Sequence, residues 1–400
     1  MAIQTTSNLT NAVGARYTTK YQRAAELARF YDQLAIPVSA PQFELEKRRG
    51  MGSSYVFNFL SDMTPGATAI SESGDIVPQI LRDATSSITP TSRGEALKWS
   101  ELIDLEAYTD FVAARAEILG RNWMETVDKM AEHAALQGNL VVRPAARASL
   151  DAGTSTHVLN SSNFSQAATM VQTLRCPPMM VGGQKRYMAL AHPDVMYDLV
   201  NSGNLLSVAL YQDKEMLLNG EIGQYNGFKI VTSPWAKVFL GAGAANGSSA
   251  STTLSAAANA LATTMGVSSS TNISVGRTLM VGTVETANTH YDTNEAVKYV
   301  SGTTTVTFVG TGANGGLRFD HASGDTVNNS DNVYPVAFGS IGSLVKVFAQ
   351  ETGEYGELVG PKKDGLADQW TSLAYKWYGG YGRVAENYIL RGEYASSLQA

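Results

Sequence analysis

A chain of 400 residues with net charge −6 and a single cysteine, Cys176, excludes a strongly basic nucleic-acid binder, an internal disulfide framework and a multi-cysteine zinc site. Hydrophobic residues make up 44%, enough for substantial cores, but charged residues make up only 16%, against about 25% in an average soluble protein, so much of the surface is expected to meet protein rather than water. The start, Met1-Ala2-Ile3-Gln4-Thr5-Thr6, lacks the pattern of a signal peptide and no apolar run is long enough to span a membrane; a soluble protein of two or three packed regions, made in a reducing compartment, is expected.

Residues 1–19 read as an irregular arm. Ala24, Leu27, Ala28, Tyr31 and Leu34 then follow the spacing of an amphipathic helix, which Pro37 and Pro41 stop. Tyr55 to Leu60 predicts a strand with aromatics at alternate positions. The stretch from Ser61 to Gly94, punctuated by Pro65, Gly66, Gly74, Pro78 and Pro90, has little periodic apolar content, and strand signal resumes at Ala96-Leu97-Lys98-Trp99-Ser100. This is a long two-stranded excursion that cannot bury its own faces and calls for a partner.

The strongest helical stripe comes next: Phe111, Val112, Arg115, Ile118, Leu119, Trp123, Val127, Met130 and Ala134, in a helix from about Leu105 to Gln137 that Gly138-Asn139 ends. Such a helix spans roughly 45–50 Å and needs a sheet along its length. Residues 160–182 hold a shorter helix (Met170, Val171 and Leu174 on its face). Tyr187–Ala191 is a buried strand, and His192-Pro193-Asp194 opens a helix with proline in the favoured first turn. Asn226-Gly227 between apolar runs is a hairpin turn. From Val238 to Val333 Gly, Ser, Thr and Asn dominate; a short helix (Leu254, Ala258, Leu261, Met265) and strands at Thr278–Val281, Ala296–Val300, Thr303–Val309 and Leu317–Phe319 suggest a β module inserted between core elements. Core-like sequence returns at Tyr334, with strands over Ser372–Tyr378 and Tyr388–Tyr394 expected beside the long helix.

Five segments in this order carry a family likeness: the aromatic strand Tyr55–Leu60 with the helix entry Ser100-Glu101-Leu102-Ile103-Asp104-Leu105; Tyr187 to Asp194 with Tyr197-Asp198-Leu199; Gly220-Glu221-Ile222-Gly223 with Thr232-Ser233-Pro234; Tyr334 to Gly339; and Ala374 to Gly380. Together they resemble the N4-type major capsid proteins of tailed phages, of the HK97-like capsid fold. The resemblance implies an α+β chain with a long spine helix, an extended E-loop, and peripheral and axial domains. Its layout would be an N-terminal arm over 1–50, the E-loop over 51–100, a peripheral domain of 101–144 and 371–400, an axial domain of 145–237 and 334–370, and a β-rich insertion over 238–333. It further implies self-assembly into pentamers and hexamers of an icosahedral virion head that encloses double-stranded DNA without sequence-specific binding. Portal, scaffolding and cement or decoration proteins would be partners, synthesis would be in the host cytoplasm, and no membrane would be involved. Phe57, Phe59 and Trp99 are the candidate assembly contacts, either as anchors on the next subunit or as the subunit's own core.

No catalytic, cofactor-binding or metal-binding residue is assigned. Gly310-Thr311-Gly312-Ala313-Asn314-Gly315 spells a dinucleotide fingerprint, but a strand and not a helix follows, so a turn is expected. His133, His157, His192, His290 and His321 show no metal-ligand spacing; Asp320, Asp325 and Asp331 read as loop solvation before a calcium site; Cys176 lacks a histidine partner. The competing readings are an encapsulin-like nanocompartment shell, a β-rich phage fibre or adhesin component, and more remotely a hydrolase using Cys176 or His192.

Overall fold

The computed structural model describes residues 42–47, 55–60, 83–102, 111–181, 184–202, 221–245, 251–271, 273–285, 293–339, 344–349, 356–365, 368–383 and 386–399. The helix expected over 20–34, the middle of the excursion and the helix entry at 103–110 lie outside them.

The spine helix α1, Phe111–Leu136, runs about 39 Å. Its buried stripe, Leu119, Trp123, Met124, Val127 and Met130, packs on Trp99, Leu373, Tyr375 and Trp377 of a five-stranded sheet. Leu119, Trp123, Val127 and Met130 are on the stripe expected from the sequence and Met124 adds to it, while Ile118 points to solvent; the side chains of Phe111 and Val112 lie outside what is described. The sheet is built around the fourteen-residue strand Trp370–Arg383. Thr91–Ser100 pairs with one side of it, Glu357–Asp364 and Leu344–Ala349 follow each other along the other side, and Gln42–Lys47 adds in parallel beyond Leu344–Ala349. Gly138, just past α1, leaves room for the Arg383 guanidinium, from which a Cβ there would lie 1.6 Å. Arg383 in turn donates to the Glu386 and Ile389 carbonyls at 2.8 Å, tying the helix end to the last strand.

A second, seven-stranded sheet has the order Val141–Val142, Ile389–Tyr394, Tyr334–Gly339, Gln184–Ala191, Phe228–Thr232 and Glu221–Tyr225, with Met179–Val181 also on Gln184–Ala191. Helix α2, Ser161–Thr173, covers it through Phe164, Ala167, Ala168 and Val171. Phe164 meets Tyr225, Phe228 and Phe338 edge-on at centroid distances of 5.2–5.7 Å. Asn160 caps α2 by accepting the Asn163 N–H, and at helix α3, Pro193–Asn201, the His192 ring accepts the Asp194 N–H beside the expected first-turn proline. The Asn226-Gly227 hairpin is present, with both residues left-handed (φ 50° and 82°), as a type I′ turn demands.

The strands expected together near the C-terminus divide between the two sheets. Residues 371–400 do not all lie beside α1: Trp370–Arg383 does, whereas Ile389–Tyr394 sits inside the seven-stranded sheet. All six residues of Ile389–Tyr394 are buried, and a strand buried on both faces needs an interior place in a covered sheet. Conversely, Leu344–Ala349 and Glu357–Asp364, expected in the axial part, belong to the spine sheet. Ala131, Ala134 and Ala135 of α1 pack with Leu190, Leu344 and Ile389, so small residues let the helix bridge both sheets.

The β-rich region forms a six-stranded antiparallel sheet in the order Ser251–Thr253, Thr326–Asn328, Thr278–Val281, Glu295–Gly302, Thr305–Val309, Thr264–Gly266. It has a core of its own, including Leu279, Val297, Val306, Phe308 and Val327. Its entry and exit run side by side: Phe239 and Val333 exchange backbone hydrogen bonds at 2.8 and 3.0 Å, and Gly243 and Ala244 bond to Asp331 and from it. The helix expected at Leu254–Met265 is absent. The backbone there bonds instead to Asp325, His321 and Leu317, which leaves Leu261 left-handed and exposed while Leu254, Ala258 and Met265 are buried. Leu317–Phe319 is likewise no strand; Leu317 is buried and its amide donates to the Ala262 carbonyl at 2.9 Å.

Candidate assembly surfaces

The two-stranded excursion pairs Tyr55–Leu60 antiparallel with Asp83–Ile88. Its root is fixed by size and packing. Ile88 is buried against Gly382, where a Cβ would lie 2.4 Å from the Ile88 side chain, and a Cβ on Gly380 would lie 3.3 Å from the Pro90 backbone. The Ser86 hydroxyl donates to the Arg383 carbonyl at 3.3 Å. Thus Gly380 and Gly382 are the seat on which the arm stands. The chain then continues past Pro90 as the ten-residue strand Thr91–Ser100.

Of the three candidate contacts, Phe57 stands opposite Ser86 and Phe59 opposite Ala84 on the arm. Trp99 lies apart from them, in the core of its own subunit. It is 5% exposed, packed with Trp123 and Trp377, and the Arg115 guanidinium sits 4.3 Å above its ring. A side chain so enclosed has little surface left to offer a neighbour; Trp99 packs in its own subunit's core, opposite Thr371 and at the end of its strand away from the arm. Sequence reasoning missed Ile88, the long strand before Ala96, and the glycine seat; the run of three glycines around Tyr381 was the available signal.

At the other end of the spine sheet, Trp370 is exposed with Lys98 over its ring at 5.5 Å. Around it run the ion pairs Lys98–Asp364 (3.2 Å) and Lys363–Glu101 (2.9 Å). The hydrogen bond from Lys98, with one from the Gly365 amide, holds the Asp364 carboxyl below its ordinary value, and Glu101 holds Lys363 above its own. Exposed pairs of this kind add little stability.

Two buried polar clusters lie in the interior. Glu393 is fully enclosed by Arg143 (3.3 Å), Arg147 (2.9 Å) and Arg391 (2.9 Å). Burial alone would raise its carboxyl, but the three guanidiniums outweigh burial and hold it below the ordinary value. On α1, Glu132 accepts the Lys237 N–H at 2.8 Å, and burial, then the nearby Asp128 charge, push its carboxyl well up.

The residues weighed for chemistry are dispersed. Asp320 accepts the Ala260 N–H, Asp325 the Ala322 N–H, and Asp331 the Ala152 N–H and the Arg277 guanidinium. Among the described residues no group of three or more His, Cys, Asp or Glu is placed to hold a metal ion. Cys176 is buried, its thiol raised by burial and directed at the Asn387 carbonyl. His157 accepts the Asp151 N–H, and His321 is enclosed by Glu295 at 2.8 Å; His290 lies outside the described residues. Gly310–Gly315 closes as a tight turn through the Gly310 N–H to Gly315 carbonyl bond of 2.7 Å, with Asn314 and Gly315 left-handed.

A long helix lying on a sheet, a two-stranded arm rooted at that sheet's end, and a second sheet reached through the helix's small residues together make an HK97-like capsid fold, the architecture of a shell subunit. The chain belongs to the phage capsid protein family, whose profile matches residues 116–328, more than half of its length. That span takes in the β module as far as its last strand. Solved structures agree on the fold: the capsid of Ralstonia phage GP4 (TM-score 0.52, 11% identity, 92% of this chain and 90% of that chain covered), the capsid of cyanophage P-SCSP1u (0.51, 11%, 90% and 88%) and the capsid of cyanophage Pam1 (0.51, 12%, 88% and 89%). No curated protein sequence matches the chain. The function that the family and fold define is that of a major capsid protein of the head shell, and the chain's place is the virion. No helix among the described residues is long and apolar enough to cross a membrane.

Proposed function

We propose that this chain tiles the icosahedral head of an N4-type tailed phage as pentamers and hexamers of itself, with the arm of each subunit laid across its neighbour. The arm's geometry carries this reading. Tyr55–Leu60 and Asp83–Ile88 form a ribbon of two strands that leaves the glycine seat, and an isolated ribbon is marginally stable in water unless something covers it. A neighbouring copy supplies the cover, with Phe57 and Phe59 as its anchors. A subunit held by several neighbours gains from effective concentration, so each contact can be modest.

In this layout the peripheral part holds α1 with 91–100, 344–349, 357–364 and 370–383. The axial part holds the seven-stranded sheet, and 251–328 is a module on its own neck. The protein's role is structural, without catalysis. It encloses double-stranded DNA without gripping it, consistent with net charge −6. Portal and scaffolding proteins, and cement proteins on the outer face, complete the head, and synthesis is in the host cytoplasm.

The test is deletion of arm residues 66–80, which spares the paired strands and Ile88. Closed particles of the wild-type protein should appear by negative-stain electron microscopy. The deletion variant should keep the wild-type circular dichroism spectrum and form none. Normal-sized shells from the deletion variant would overturn the role given to the arm; a wild-type chain that stays a 43-kDa species at high concentration would overturn self-assembly.

A further inference from the structure

The two flanks of the spine sheet are treated differently. Glu357–Asp364 carries Pro361, Lys362 and Lys363 and a register break between Val359 and Lys362, the devices by which an edge strand refuses another chain. Thr91–Ser100 carries no proline and no register break, and its one lysine, Lys98, lies beyond its first seven residues. It pairs with Trp370–Gly379 in unbroken register over ten residues and is mostly exposed. Among the described residues, no strand pairs with its outer side. Such a row of backbone donors and acceptors is a template for a further strand.

Its side chains say which strand. Arg93 and Glu95 flank Gly94 on one face of the strand. If two copies of this edge meet antiparallel about Gly94, Arg93 stands opposite Glu95 of the partner subunit, and Glu95 opposite Arg93 of the partner subunit. Thr91 then meets Leu97 of the partner subunit, and Ser92 meets Ala96 of the partner subunit. Centring on Glu95 or Arg93 instead would set like charges face to face, which destabilises a cross-strand pair. The same register stops short of Pro90, which has no N–H, and of Ile88, beside which Tyr55 occupies the outer side.

We propose that residues 91–97 form an isologous two-fold contact between copies of this chain, joining two spine sheets into one continuous sheet. The proposal rests on the self-assembly argued above and adds to it a contact distinct from the arm. A closed shell of identical subunits uses such self-complementary contacts wherever a two-fold axis relates neighbours.

The experiment is register-specific crosslinking in assembled particles. Facing residues of an antiparallel pair have Cα atoms about 4.5–5.5 Å apart, within disulfide reach, and the native Cys176 is buried. Particles co-assembled from S92C and A96C subunits should yield a disulfide-linked dimer on oxidation, and particles of either variant alone should not. E95R should abolish the crosslink in the mixture, and R93E/E95R should restore it. Particles of normal size without the crosslink, or with equal crosslinking by S92C alone, would overturn the pairing and leave the shell reading standing. Absence of both particles and crosslink would overturn both.

Discussion

Replacing Glu393 by glutamine tests whether the last strand is held by its ion cluster or by its apolar neighbours. The carboxylate has no exposure and faces three guanidiniums whose side chains are exposed by 40% (Arg143), 21% (Arg147) and 8% (Arg391). The Arg143 contact is weakened by solvent and counts for at most about 1 kcal/mol. The Arg147 and Arg391 contacts are charge-assisted and enclosed, and removing one partner of a buried pair costs about 3–5 kcal/mol. Glutamine keeps an acceptor oxygen and the shape but turns an NH2 group toward a guanidinium, so E393Q should lose about 3 kcal/mol. The strand lies between Val141–Val142 and Tyr334–Gly339, so the loss should appear in the cooperative unfolding of the whole seven-stranded sheet. Urea denaturation followed by far-UV circular dichroism measures it. The pH dependence gives a second check. Because the folded carboxyl is held below its ordinary value of 4.5, its contribution is fully present above that value and is lost as pH falls through the lowered one. The gap between wild type and E393Q should therefore be constant from neutral pH down to about 5 and close in stronger acid. A gap under about 0.5 kcal/mol at pH 7, the range of ordinary surface substitutions, would refute the reasoning.

Two other substitutions probe the fold from opposite directions. E132Q should stabilise the protein at neutral pH, since the folded carboxyl is raised and the folded state therefore loses stability as pH rises from 4.5 through that raised value; glutamine still accepts the Lys237 N–H, and denaturation at pH 8 against pH 4 should show the gain at the higher pH only. G227A should cost about 1 kcal/mol of hairpin stability, a purely conformational penalty because a Cβ there meets nothing within 4 Å, and faster amide exchange over Glu221–Thr232 is the measure.

Helix α1, the Asn226-Gly227 hairpin and the His192-Pro193 helix start were legible because each is specified locally: an apolar period, a dipeptide that tolerates positive φ, a proline in a first turn. The destination of the strands was not. Ser372–Tyr378 and Tyr388–Tyr394 look alike as aromatic runs, yet one pairs under α1 and the other sixteen residues later sits in a different sheet. What separates them is the buried carboxylate of Glu393, whose arginines come from residues 143 and 147 far away in the chain. The Leu254–Met265 segment misled for a similar reason. Its apolar spacing suits a helix, but its amides find partners in residues 317–325, across the module. Trp99 was ambiguous by composition alone, because an aromatic on an exposed strand serves a core and an interface equally well until the helix above it is placed.

The low charge content can now be read in physical terms. Solvent-facing strands usually carry Lys and Glu to keep other chains away, and this protein concentrates that defence on Glu357–Asp364. On the arm strand Asp83–Ile88 serine, threonine and alanine take most of those places instead, and in the first half of Thr91–Ser100 the two charges, Arg93 and Glu95, are of opposite sign and flank Gly94. Small uncharged side chains leave the backbone open to pairing and add no desolvation cost when a neighbour arrives. A monomeric protein with such edges would aggregate without a defined stoichiometry. A subunit whose every open edge has a partner in a closed arrangement does not, because closure leaves no edge unpaired.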